Sequence, residues 1–219
     1  MRVLGIWASP RRGGNSEVLL DAFLDGAGEA GAEVERIALR QLRITPCLEI
    51  QHCLKDGTCP IKDDMVPLYE QLLAADVVAL SSPIFFYGLS AQAKSMIDRT
   101  QALWARRYIL EPKSSALTRQ GVLLCTAASH GKLLFVGASL TAEYFFDAIG
   151  VRYAAEIFVN GVDEKGAIAK MPDVLAAAAD LGRRLARGEE VGPVRLTPLA
   201  VEGVDGAGWR FSEGSLDRH

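Results

Sequence analysis

Ser9-Pro10-Arg11-Arg12-Gly13-Gly14-Asn15-Ser16 gathers two serine hydroxyls, the Arg11 guanidinium, the Asn15 amide and two glycines within eight residues. Between a strand and a helix, that set makes a phosphate cradle. The glycines let the backbone curl, and the helix start offers unpaired N–H groups at the positive end of its dipole. Neither a P-loop (G-x-x-x-x-G-K-[ST]) nor a Rossmann fingerprint (G-x-G-x-x-G) is present. The other reading of the same residues is an ordinary turn capped by Ser16 or Asn15.

A second stretch, Ser81–Gln92, carries Ile84, Phe85, Phe86 and Tyr87 in what reads as a loop. Large apolar side chains are costly to expose, so something flat and apolar, or a partner chain, is expected to cover them. Pro83 stiffens the turn, and Gly88 permits close backbone approach. A planar heterocycle lying along Phe85–Gly88 could meet backbone N–H groups with its edge heteroatoms. A hydrophobic dimer surface without cofactor is the competing reading, and the two are compatible.

Alternating elements must position these loops. Arg2–Ala8 reads as a strand, Ser16–Ala30 as a helix with Val18, Leu19, Ala22, Phe23 and Ala27 on one stripe, and Glu33–Leu39 as a strand. Arg40–Lys62 is irregular. Asp63-Asp64 precede a helix over Met65–Ala75, where acidic residues complement the dipole. Asp76–Ser81 and Gly121–Thr126 are apolar on both faces, as strands covered on each side by helices should be. Ala91–Leu103, Gly137–Ile149 and Pro172–Arg187 read as helices, Val151–Val159 as a fifth strand, and the alanine run 176–179 as close helix packing. The expected fold is α/β, a doubly wound five-stranded parallel sheet of flavodoxin-like order 2-1-3-4-5 over residues 1–187. Residues 188–219 read as a tail or an inter-subunit arm anchored by Trp209 and Phe211.

The chain has 219 residues, 49% hydrophobic, and 24 basic against 27 acidic side chains for a net charge of −3. That near balance argues against a protein that coats nucleic acid or is held on an anionic membrane. Four cysteines are too few for a disulfide scaffold, and no apolar stretch approaches the roughly 20 residues of a membrane span. A cytoplasmic protein is expected.

The two loops resemble those of the NADPH-dependent FMN reductase family. Ser9–Ser16 is similar to its G-S-P-R-x-x-G-N-[ST] loop, with Ala8 in place of the usual Gly. Ser82–Lys94 through Asp98-Arg99 is similar to its S-P-I-Y-F-x-x-x-S-A-Q-x-K…D-R segment. The resemblance implies that Ser9, Arg11, Asn15 and Ser16 hold the FMN phosphate. It also implies that Pro83, Ile84, Phe85, Phe86, Tyr87 and Gly88 border the isoalloxazine ring. Thr126, Ser129 and His130, on the loop after the fourth strand, would lie at the ring's pyrimidine side, although His130 also reads as a solvated loop residue.

Cys47 to Met65 looks like the cluster segment of the iron–sulfur flavoprotein branch, P-C-x-x-C-x-x-C-x(4–7)-C. Cys47, Cys53 and Cys59 are present, with Ile50 where the second ligand should be. A cubane cluster wants four thiolates and an aliphatic side chain cannot ligate iron, so a [4Fe–4S] cluster is not expected. His52, Asp56 and Asp63 miss the vacant position, and Cys125 lies inside a strand. A remnant thiol loop, a redox disulfide or a zinc site are the alternatives for these three metal candidates. Arg106 and Arg107 read as a solvated helix end, with a nicotinamide 2′-phosphate as the other reading.

The function these features imply is an FMN-dependent NAD(P)H oxidoreductase. It would pass electrons to a quinone, a flavin, another small acceptor or a redox protein, with no catalytic side chain required because the cofactor performs the hard step. The alternative is a non-enzymatic electron carrier of flavodoxin or iron–sulfur flavoprotein type. A homodimer or homotetramer is implied by the resemblance.

Overall fold

A computed structural model of the chain describes residues 1–111 and 117–191, and the backbone of Val194–Leu196. In chain order the elements are β1 (Arg2–Trp7), α1 (Asn15–Glu29), β2 (Glu33–Ala38), α2 (Cys53–Asp56), α3 (Met65–Ala74), β3 (Val77–Phe85), β4 (Gly88–Leu89), α4 (Ala91–Arg99), α5 (Gln101–Ala105), β5 (Gln120–Thr126), α6 (Val136–Ala148), β6 (Arg152–Val159), α7 (Pro172–Ala186) and β7 (Val194–Leu196). β2, β1, β3, β5 and β6 pair in that order, all parallel. This is the expected doubly wound order, with two additions. β4 pairs antiparallel with the end of β3, and β7, from the segment read as a tail, pairs parallel with β6 as a sixth strand. Trp209 and Phe211 lie outside the described residues.

Alternation along the strands divides the core in two. Leu4, Ile6, Val78, Leu80, Leu123 and Cys125 face α3, α4, α5 and α6. Val3, Val77, Ala79, Val122 and Leu124 face α1 and α7. Every residue of β5 is buried, as its two-faced apolarity requires. α1 and α7 cross at a pair of glycines: a methyl on Gly26 would strike the Ala179 carbonyl, and one on Gly182 the Phe23 carbonyl. The alanine run is the close packing the sequence implies.

The Ser81–Gln92 stretch is mostly strand rather than loop. β1 pairs with β3 only as far as Ser81, so beyond that point β3 has one edge free. Pro83 lies in register with Thr126 of β5, and the free edge beyond it takes β4. The helix expected over Ala91–Leu103 is broken. The Thr100 hydroxyl donates to the Ile97 carbonyl (2.6 Å), α4 stops at Arg99, and α5 leads into a wide π-type turn over Arg106–Leu110. The two arginines of that turn are only half-solvated: Arg106 Nε donates to the Gly57 carbonyl at 2.7 Å and the Arg107 guanidinium lies 5.4 Å from the centre of the Tyr108 ring.

Candidate functional site

In parallel sheets of this kind ligands gather beyond the strand carboxyl ends, and here those ends open onto one rim. β1 and β3 are neighbours, and three short hydrogen bonds lock their loops together. Ala8 N–H donates to the Ser81 carbonyl (2.8 Å), the Ser90 hydroxyl to the Ala8 carbonyl (2.5 Å) and the Ser81 hydroxyl to the Ser16 carbonyl (2.6 Å). Ser90 also caps α4 by accepting from Ala93 N–H.

The first loop curls as its composition implies. The Ser9 hydroxyl accepts from Arg11 N–H (3.1 Å) and donates to the Arg11 carbonyl (3.2 Å), and Gly13 turns with φ +64°. α1 then starts behind Gly14, which has no side chain to cap it. The capped-turn reading therefore fails: neither Asn15 nor Ser16 caps the helix, and its first N–H groups remain for an outside acceptor. Ser16 is buried, and among the described residues its hydroxyl has no hydrogen-bond partner. Glu17 accepts from Gly13 N–H (2.9 Å) while Arg40 holds both its oxygens (3.2 and 3.3 Å), which offsets a carboxylate at the cradle.

Asn15 is redirected. Its Nδ2 donates to the carbonyls of Val162 (3.2 Å) and Glu164 (2.9 Å), and its Oδ1 accepts from Ile168 N–H (3.2 Å). Both amide hydrogens are committed to the β6–α7 loop, so Asn15 anchors that loop and has no hydrogen left to donate to a phosphate. Arg11 is exposed, with Nη1 3.4 Å from the Asp163 carbonyl.

Phe86 and Tyr87 form the two-residue turn between β3 and β4, with φ of +49° and +65°. Positive φ at both central positions is the pattern of a type I′ turn, which favours Asn-Gly. Two bulky residues there carry strain of the kind that gathers at ligand clamps. Phe86 is fully exposed, and Phe85 and Tyr87 about half so. Pro83 and Ile84 are half-buried within the strand, and Gly88 pairs with Phe85.

The remaining loops close the rim. The Tyr87 hydroxyl stands 2.5 Å from where a Cβ on Gly131 would be, and the Tyr87 carbonyl 2.8 Å from one on Gly137, so only glycine lets the turn lie across the start of α6. The His130 ring lies against Gly161, 2.8 Å from its would-be Cβ, joining the β5–α6 and β6–α7 loops. Thr126 is buried at the end of β5 between Pro83 and Val159, and Ser129 is exposed on the same loop as His130. One residue that sequence reading missed also reaches the cradle: Lys165, whose side-chain end lies against Gly13. No motif marks it, because it is some 150 positions away and only the folded β6–α7 loop, held by Asn15 among others, brings it near.

The cysteine segment does not fit an iron–sulfur cluster. Cys47 is exposed, Cys53 and Cys59 are half-buried, all are free, and Ile50 is 55% exposed at the missing ligand's place. Among the described residues, no group of three or more His, Cys, Asp or Glu side chains is arranged to hold a metal ion.

A doubly wound sheet whose rim carries an uncapped helix start beside an exposed aromatic turn has the flavodoxin-like fold. The family model for NADPH-dependent FMN reductases matches residues 1–145, and the chain belongs to that family, an oxidoreductase family with FMN as cofactor. The chain is 39% identical over 103 residues to an iron–sulfur flavoprotein of Methanocaldococcus jannaschii (47% of this chain, 53% of that one). It is 25% identical over 185 residues to a putative NAD(P)H-dependent FMN-containing oxidoreductase of Bacillus subtilis (84% and 98%). The chain spans about half the length of the iron–sulfur flavoprotein it matches. In fold it is similar to an NAD(P)H:quinone oxidoreductase from Methanothermobacter marburgensis, with a TM-score of 0.63 at 22% identity over 84% of this chain and 96% of that one.

Proposed function

We propose that this chain is an FMN-dependent NAD(P)H oxidoreductase that passes electrons to a small acceptor such as a quinone or free flavin. The observation that carries this is the adjacency of β1 and β3. It puts an uncapped helix start, the unpartnered hydroxyl of Ser16 and Arg11 on one side, and the exposed Phe86-Tyr87 turn on the other. Those residues fit a molecule with an anionic tail and a flat head.

Bound FMN would supply two-electron chemistry between the reduced nicotinamide and the acceptor. The chain's own work is to hold the tail with Arg11, Ser16 and the first N–H groups of α1, and to cover the ring with Phe85, Phe86 and Tyr87. Backbone N–H groups near Gly88 would meet the ring edge. Ser9 and Asn15 shape the cradle from behind. Thr126, Ser129 and His130 would border the far side.

No helix among the described residues is long and apolar enough to cross a membrane. We place the protein in the cytoplasm, whose reducing conditions suit four unpaired cysteines. A second copy is proposed on α6. Leu133, Val136, Leu140 and Tyr144 form one exposed stripe, with Phe86 and Tyr87 across its start and the Tyr108 hydroxyl on Asp147 (2.7 Å) at its end. Together these residues leave a largely apolar face exposed to be covered.

The test is an absorbance spectrum of the full chain after FMN addition, followed by steady-state NAD(P)H oxidation with a quinone. Bound flavin with sustained turnover supports the proposal. Bound flavin without turnover indicates an electron carrier, and protein that takes up no FMN overturns the flavin assignment.

A further inference from the structure

We infer that Lys165 is a ligand of the anion in the phosphate cradle, delivered by the β6–α7 loop and held there by Asn15; this rests on the flavin reading above. Asn15 grips that loop at three points, Val162, Glu164 and Ile168, on both sides of Lys165. Arg11 reaches the same loop at Asp163. The consequence is seen at Gly13: a Cβ built there would stand 3.0 Å from Lys165 Cε and 3.4 Å from its Nζ. The ammonium therefore lies over the left-handed turn that opens the cradle, and any side chain at position 13 would displace it.

Charge makes the placement meaningful. Among the described residues neither Lys165 nor Arg11 nor Arg12 has a carboxylate partner, while the nearby Glu17 is already held by Arg40. Asp163 and Glu164 precede Lys165 in the chain, but neither is paired with these cations, which stand beside the unpartnered hydroxyl of Ser16 and the uncapped start of α1 and are seated for a multiply charged anion. Lys165 itself is exposed, and it is the backbone on either side of it that buried Asn15 pins, which fixes where its ammonium can reach.

The experiment titrates the full chain with FMN and with riboflavin, which has the same ring and no phosphate, following flavin fluorescence. Lys165→Ala is expected to weaken FMN by about three- to fivefold, as loss of one exposed charge-assisted contact should. Riboflavin affinity is expected to stay within about twofold, and Lys165→Arg to recover most of the FMN loss. Asn15→Ala should weaken FMN selectively too, with the double variant no worse than the poorer single one, because both act through one contact.

An equal loss of FMN and riboflavin, unchanged FMN affinity in Lys165→Ala, or additive losses in the double variant would overturn the assignment while leaving the flavin reading intact. A wild-type chain that binds no FMN removes both.

Discussion

Arg99 and Asp63 face each other across two hydrogen bonds, Nη1 to Oδ2 at 2.7 Å and Nη2 to Oδ1 at 3.2 Å, with the arginine side chain fully buried. The same guanidinium donates to the carbonyls of Thr45 and Ile61, and Asp63 accepts from the N–H groups of Thr45 and Met65. One buried ion pair thus clamps both ends of the cysteine segment to α4.

Removing one partner of a buried pair strands the other, so Arg99→Ala is expected to cost about 3–5 kcal/mol. Urea unfolding followed by circular dichroism reads the loss. A value under 1 kcal/mol would show that water replaces the guanidinium.

Burial pushes the Asp63 carboxyl up, but the Arg99 hydrogen bonds and the Thr45 and Met65 N–H groups outweigh it and hold it below its ordinary 3.8. A carboxyl whose folded pKa lies below its unfolded one adds stability above the unfolded value. That stability is lost as pH falls from about 4 through the folded value. Asp63→Asn should therefore be less stable at neutral pH and lose less between about pH 4 and 2 than the wild type. Parallel pH–stability curves would contradict this.

Phe86-Tyr87→Asn-Gly gives the β3–β4 turn the residues its positive φ values favour. Stability should rise by about 1–2 kcal/mol, with weaker binding of FMN and riboflavin alike. Thermal melts and flavin titrations measure the two effects, and tighter flavin binding would remove the aromatic turn from the site.

Arg11→Ala should weaken FMN more than riboflavin, by about tenfold, and leave the rate of ring reduction at saturating FMN unchanged. Fluorescence titration and stopped-flow reduction by NAD(P)H separate the two. A slower reduction at full occupancy would contradict a phosphate role.

Iodoacetamide should modify exposed Cys47 first. Burial raises the Cys53 thiol, and burial together with nearby Glu156 pushes that of Cys125 well up, so both should react slowly in the folded chain. Mass spectrometry after timed quenching reads the order.

Leu140→Asp with Tyr144→Asp breaks the α6 stripe without touching the cradle. Light scattering should show a shift to monomer. An unchanged mass would exclude this face as the contact between copies.

Local composition was enough to read the loop chemistry. Ser9, Arg11, the two glycines and Ser16 announce a curled loop before an uncapped helix start, because each contributes through its own side chain or backbone within one turn. The run from Ile84 to Tyr87 announces an exposed apolar surface for the same reason. Strand order followed from two-faced apolar runs alternating with helical stripes. The break after Arg99 was not legible, since Thr100 bonding back to Ile97 competes with a helical pattern that continues through it.

By itself, then, the sequence determined the alternating sheet, the curled Ser9–Ser16 loop, the aromatic stretch and the vacancy at Ile50 in the cysteine segment, all of which rest on neighbouring residues and fixed periods. Only the tertiary structure decided that Asn15 serves the β6–α7 loop, that Lys165 lies over Gly13, that Phe86 and Tyr87 turn with positive φ, and that Val194–Leu196 extend the sheet. These depend on groups distant in the chain, or on backbone angles imposed by a strand pairing, and such contacts exist only once the sheet has brought its loops to one rim.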